Sequence, residues 1–188
     1  NYYCVLGWAF ADGKGKPEVN YTKEKQIFSS CAGAAIYNRK ILDEIGYFDE
    51  AHFAYLEDLD LGYRARLHGY ESWFCPRARV YHAGSGTSGS RYNLFKVQYS
   101  SRNNVYLVYK NMPLLQIIWN FPLLLFGFSC KALFFAKKGF GREYLAGIKN
   151  GILLCKENQD KKVQGISPGT YFKVQWELYK NMIKFLKK

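Results

Sequence analysis

Glu57, Asp58 and Asp60 open the run from Phe53 to His82, F-A-Y-L-E-D-L-D-L-G-Y-R-A-R-L-H-G-Y and then E-S-W-F-C-P-R-A-R-V-Y-H. Carboxylates so closely set can take a proton from an attacking hydroxyl or help to hold a cation. Leu59, Tyr63 and Leu67 recur every four residues with Gly69 behind them, which predicts an amphipathic helix from about Glu57 to His68. The acids then lie in its first turn and Arg64, Arg66 and His68 in its last, a polarity that suits the helix macrodipole by roughly 0.3–1 kcal/mol per charge. A purely structural explanation exists: dipole-matched surface charges, with Asp60 and Arg64 paired one turn apart. Against it, the residues before the acids (Phe53, Ala54, Tyr55, Leu56) are apolar, and Pro76 breaks Trp73 to Val80 into two short strand-like pieces, the second ending at His82. Helix start and strand end would then meet, with Asp58 and His82 facing a common substrate.

The pattern Y-x-E-D-x-D-L-x-x-R-x-x-x-x-G-Y with P-x-A-x-V-x-H behind it resembles the second half of the family 2 glycosyltransferases, inverting enzymes of GT-A fold, and within them the bacterial branch of rhamnosyltransferases. Gly33 to Glu50, G-A-A-I-Y-N-R-K-I-L-D-E-I-G-Y-F-D-E, fits the segment before the acceptor site in that family. Arg102-Asn103 and Lys110-Asn111 fit the family's segment downstream of that site, so the resemblance covers about Ile27 to Pro113. It implies an α/β fold: residues 1–94 as the C-terminal, acceptor-side portion of a GT-A domain, then a mostly helical, apolar and basic region over 95–188.

Inverting glycosyl transfer needs a general base on the acceptor side and a cation on the diphosphate side. Asp58 is the candidate base: the helix start favours its ionised form, and the resemblance points to the same residue. Glu57, Asp60, Tyr55 and Arg64 are candidates for binding the acceptor, Arg64 also for holding Asp60. The resemblance makes His82 a contributor to a divalent metal site for Mn²⁺ or Mg²⁺, although one imidazole cannot hold such an ion alone. The family's principal ligands come from an upstream D-x-D. Here the only D-x-D is Asp58-Leu59-Asp60, whose use as the metal motif is the alternative assignment. The expectation is therefore that metal ligands and nucleotide-binding strands lie upstream of Asn1, and that this chain alone neither binds nucleotide tightly nor turns over. The implied partners are a dTDP- or UDP-linked sugar donor and a saccharide or lipid-linked acceptor.

Gly84 to Gly89 formally match a dinucleotide fingerprint, but no acidic residue stands at the required distance beyond them. Gly84, Ser85 and Gly86 are better read as a loop whose backbone N–H groups meet the donor phosphates, or as a plain solvated loop.

Charge divides the chain. Residues 1–94 carry 11 Lys+Arg and 11 Asp+Glu, residues 95–188 carry 16 and 4, so the whole net charge of +12 lies in the second half. That half seeks phosphates, of lipid headgroups or of nucleic acid. Nucleic-acid binders interleave basic and aromatic residues on one surface. Here the charge accompanies long apolar runs, which favours an anionic membrane surface and no nucleic acid. A basic module with no chemistry, on membrane or nucleic acid, is the alternative function; it leaves Glu57, Asp58 and Asp60 without a purpose. Five cysteines without a C-x-x-C pair read as buried thiols of a reducing compartment, and no secretory leader is seen. The thiols and the basic, apolar second half lead to the expectation of a cytoplasmic protein, peripheral on the inner face of the cell membrane.

Along the chain, Tyr2 to Trp8 and Ile27 to Tyr37 predict strands, and Asp12 to Lys25 a polar loop. Asn38 predicts the cap of a short helix from Arg39 to Ile45 closed by Gly46. Phe48-Asp49-Glu50 reads as a turn with solvent-facing acids. Arg91 to Lys110 predicts a helix. Met112 to Cys130 is long and uncharged, yet Pro122, Gln116, Asn120 and then Lys131 argue against a simple membrane span. It reads instead as a helical hairpin packed on the domain or a monotopic surface. Tyr171 to Lys188 predicts a basic helix with a Phe172, Trp176, Tyr179, Ile183, Leu186 face, either interfacial or core-facing.

Overall fold

The computed structural model describes residues 1–81 and 92–187. Among the described residues it is helix-rich, with four short strands. Strands β1 (Tyr2–Cys4) and β2 (Trp8–Phe10) form an antiparallel hairpin pairing Tyr2 with Phe10 and Cys4 with Trp8. The strand expected over Tyr2 to Trp8 therefore folds back on itself, at Gly7. Strand β3 (Lys25–Ile27) pairs antiparallel with β4 (Ser72–Phe74). The strand expected over Ile27 to Tyr37 stops where it was to begin. Cys31 to Ala35 carries no β-branched or aromatic side chain, so nothing anchors it in a sheet, and Ala32–Ala34 closes a 3₁₀ turn instead.

Helix α1 (Arg39–Ile45) begins where Asn38 accepts a bond from the Lys40 N–H and ends at Gly46. Helix α2 (Glu57–Leu67) carries the three acids in its first turn and Arg64 and Arg66 in its last. Ser29 lies so close to Gly62 that a Cβ there would stand 2.4 Å from the Ser29 Cβ, so α2 packs flush against the segment after β3. Helix α3 (Leu94–Asn111) is capped by Asn93, and α4 (Leu114–Lys137) comes directly after it. Pro122 and Lys131 do not interrupt α4. Proline removes a single ladder bond, and the Lys131 ammonium reaches the Gly7 carbonyl at 3.2 Å. No helical hairpin forms within it. Helices α5 (Gly141–Glu157) and α6 (Pro168–Leu186) complete the chain, α6 capped by Ser167.

The core takes residues from both sides of position 94: Tyr3, Val5, Phe28, Leu59 and Tyr63 pack with Leu107, Met112 and Leu178. Helix α6 lies across β1, with Asn181 Nδ2 donating to the Tyr3 carbonyl at 2.8 Å. The cysteines are all free, but only Cys4 and Cys155 are buried; Cys31 and Cys75 are exposed, because the segments that carry them form no sheet interior.

Candidate active site

The first turn of α2 is approached through an unusual loop. Phe53, Tyr55 and Leu56 all have positive φ (58°, 70° and 66°), a region that costs a side-chain-bearing residue about 1 kcal/mol or more. Three such residues persist only if the surroundings hold them, and α3 does so. Asn103 Nδ2 donates to the carbonyls of His52, Ala54 and Tyr55 at 2.8, 2.7 and 2.7 Å. Arg102 adds bonds to the carbonyls of Ala51 and His52. The Phe53 and Tyr55 rings, aimed outward by this backbone, meet Phe95 and Tyr99 from α3 in a half-exposed aromatic cluster.

Asp58 stands just inside the helix. Its Oδ2 accepts from the Ala32 N–H at 3.4 Å and the Asn1 side-chain amide at 3.1 Å, while its main-chain carbonyl accepts from Ser29 Oγ at 2.6 Å. No cationic side chain among the described residues is bonded to it. Burial pushes its carboxyl above the ordinary range, and the N–H groups of Ala32 and Leu59 pull the other way without cancelling it. The helix start therefore does not dominate as expected: desolvation does. Glu57 is raised too, by burial first and by Asp58 as a neighbour, and its Oε2 has no hydrogen-bond partner among the described residues. Tyr37, whose hydroxyl is equally without one, is pushed up to about 12 by burial and by Asp58, Cys31 and Glu57. Asp58, Glu57 and Tyr37 thus share one acidic neighbourhood beside the exposed Cys31–Ala34 turn.

Asp60, two residues on in the same turn, is 0% exposed. Its Oδ2 accepts from Arg64 Nε at 3.0 Å and Lys110 Nζ at 2.8 Å, its Oδ1 from Asn111 Nδ2 at 2.9 Å. Arg64 gives three further N–H groups to the carbonyls of Ile45, Gly46 and Tyr47. The two were expected to bind the acceptor; Asp60 is sealed and Arg64 gives four of its five N–H groups to protein oxygens, so that they join α1, α2 and α3. The i, i+4 pairing of Asp60 with Arg64 is present, in the interior and not on the surface.

Asp49 is the residue that sequence reasoning placed wrongly. It was expected to face solvent, but its Oδ2 accepts from Lys110 Nζ and Tyr106 OH, both at 2.8 Å, and its Oδ1 from Lys161 Nζ at 2.8 Å. No local signal marked it, since Lys110 lies 61 positions away in sequence. Those ammonium groups and the tyrosine hold the Asp49 carboxyl far below the usual range against the opposing effect of burial.

Asp49, His52 and Asp60 offer ligand atoms within 4.8 Å of one another, a set that by geometry alone could take a metal ion. The charges argue otherwise. The Lys110 ammonium already bridges both carboxylates, Arg64 and Lys161 add two more cations, and Asp60 and His52 have no exposure through which a dication or substrate could reach an open position. The cluster fits an ammonium, not the divalent ion that the resemblance implies. His82, Gly84, Ser85 and Gly86 lie outside the described residues.

No curated protein and no solved structure matches the chain. Residues 16–102, which carry Tyr37, Tyr55, Glu57 and Asp58, match the model of the family described as glycosyltransferase like family 2, and in this segment the chain is similar to glycosyltransferases.

Proposed function

We propose that the chain supplies the acceptor side of a sugar transfer from a nucleotide-sugar donor to a saccharide or lipid-linked hydroxyl, with inversion, Asp58 being the general base. The observation that carries this reading is the contrast within α2: where Asp60 is sealed and fully paired, Asp58 is partly exposed, without a cationic side-chain partner among the described residues, and raised by burial above the ordinary carboxylate range. In the reaction the acceptor O–H gives its proton to the Asp58 carboxylate as its oxygen attacks the anomeric carbon. The bond from that carbon to the diphosphate oxygen breaks on the opposite face, and the leaving nucleoside diphosphate keeps the electron pair. Glu57 and Tyr37 border the base and suit hydrogen bonds to other acceptor hydroxyls. The aromatic cluster of Phe53, Tyr55, Phe95 and Tyr99 suits the apolar face of a pyranose ring. A dTDP- or UDP-linked donor, rhamnosyl transfer and a place in cell-surface polysaccharide synthesis extend the same proposal. A divalent ion would supply charge compensation at the diphosphate; no described residue is assigned to it.

The test is nucleotide-sugar turnover by the polypeptide as its gene encodes it, wild type against Asp58→Asn. Loss of turnover with donor binding retained supports the assignment. Wild-type rates in the variant would remove Asp58 from the chemistry.

A further inference from the structure

Helix α4 is built inside out. Its side towards the protein carries Gln116, Asn120, Leu124 and Gly127, and Asn120 is 0% exposed in a net of amides with Gln175. The opposite side carries Leu115, Ile118, Trp119 and Phe126, exposed by 81, 60, 74 and 59%. A helix of a water-soluble core places leucine inward and amides outward. Here 24 residues of mean hydropathy 1.6 in their most apolar window, only 17% of it buried, turn their hydrocarbon away from the protein. A patch of that size does not stand open to water without an occupant.

We propose that this face of α4, with the neighbouring start of α6, docks in the plane of an anionic lipid bilayer as a monotopic surface. Charge complementarity selects lipid. Residues 95–188 carry the whole net charge of +12, and no charged residue lies between Met112 and Cys130. Exposed Lys137 and Lys138 stand at the C-terminal end of α4 and exposed Arg142 at the start of α5, where they would meet phosphates. A second copy of the chain would bring the same positive charge against itself. The apolar surface continues onto α6 through a groove of about 470 Å³ between Leu115 and Trp119 on one side and Tyr171 and Phe172 on the other, wide enough for an acyl chain.

At about 36 Å, α4 is long enough to cross a bilayer, but its neighbours forbid it. A Cβ at Gly127 would lie 2.0 Å from the Leu6 carbonyl oxygen, so the helix is pressed lengthwise against the β1–β2 turn. Trp8 Nε1 donates to the Gly127 carbonyl at 2.9 Å and Lys131 Nζ to the Gly7 carbonyl at 3.2 Å. Crossing would drag that polar turn into hydrocarbon. Lying in the interface immerses only the apolar side. The proposal is independent of the sugar-transfer reading, and it places the chain on a membrane face rich in anionic lipid, as the inner leaflet is.

The experiment is flotation of the full chain with phosphatidylcholine vesicles, with and without phosphatidylglycerol, beside the double variant Ile118→Glu, Phe126→Glu. Both sites are exposed, so the variant should keep the wild-type melting temperature, which circular dichroism checks. The wild type is expected to float with the anionic vesicles and to resist release by salt once bound. The variant should bind at least about a hundredfold more weakly, tenfold per apolar side chain lost. Three results would each overturn the proposal: wild type that does not float, variant that floats as well as wild type, or wild type that instead forms a dimer which the variant dissolves. No assay of transfer is involved, so failure here leaves the Asp58 assignment untouched.

Discussion

Asp58 and Asp60 stand on the same turn of α2, two residues apart, and their surroundings differ in every respect that matters to a carboxylate. Asp60 is sealed from water and receives an arginine, a lysine and an amide; against burial, Lys110 first and then His52 and Arg64 hold its carboxyl below the ordinary range. Asp58 is partly exposed, receives two amide groups and no cationic side chain, and burial raises it. The helix start favours both acids alike, so the difference comes from the elements packed opposite: α3, with its inward Lys110 and Asn111, against the small-residue turn at Ala32. A fully paired carboxylate holds elements together. One that burial has raised and no lysine or arginine among the described residues has claimed is left able to take up a proton.

The sharpest way to break that comparison is to neutralise each acid in turn. Asp58→Asn should lower turnover by roughly 10²- to 10⁴-fold while moving the urea midpoint little. Because the base must be ionised, wild-type activity should fall as pH drops through the raised Asp58 value, at a higher pH than an ordinary aspartate would give. Asp60→Asn should do the reverse, costing about 3–5 kcal/mol of stability by stranding the Lys110 and Arg64 cations in the interior. Urea unfolding of both variants decides it. Equal destabilisation would mean that Asp58 is as structural as Asp60.

Asn103→Ala tests the link between the two regions. It removes the amide that holds the carbonyls of His52, Ala54 and Tyr55, and leaves three positive-φ residues without their clamp. A loss of about 1–3 kcal/mol is expected, with kcat falling more than KM rises if the loop positions Asp58. If only stability changed, Asn103 would hold the fold and nothing else.

Helix α2, its charge order, and α1 with its Asn38 cap and Gly46 stop were legible because each rests on local signals. So was the pairing of Asp60 with Arg64, though not its burial: the i, i+4 spacing is the same on a surface and in an interior. Asp49 and Lys110 were illegible as partners because 61 positions separate them and nothing in either segment advertises the other. The continuity of α4 was misread because Pro122 and Lys131 are local breakers that tertiary contacts override, at Lys131 through the Gly7 carbonyl. The raised carboxyl of Asp58 could not be read from sequence at all, since local logic gave only the helix start and desolvation depends on the segment after β3.

The smallest expected effect concerns the centre of the paired region. His52 is fully buried, neither ring nitrogen has a partner among the described residues, and burial lowers it to about 4. Asp60 and Asp49 pull its value up, Lys110 and Arg102 push it further down, and burial outweighs them all. An unfolded histidine titrates near 6.5. Between those values the unfolded chain binds a proton that the folded chain refuses, so stability is lost as pH falls from about 6.5 towards 4. Glu57 and Asp58, both raised, act in the opposite sense: the folded state takes their protons first, and acid favours it. The total slope therefore mixes two signs, but the difference between wild type and His52→Phe isolates one. The variant should match or exceed wild-type stability near neutrality and gain on it by roughly 1–2 kcal/mol near pH 5. Urea midpoints across that range measure the gap. A gap that stayed constant with pH would mean that His52 is protonated in the folded state, held by Asp49 and Asp60 in competition with Lys110.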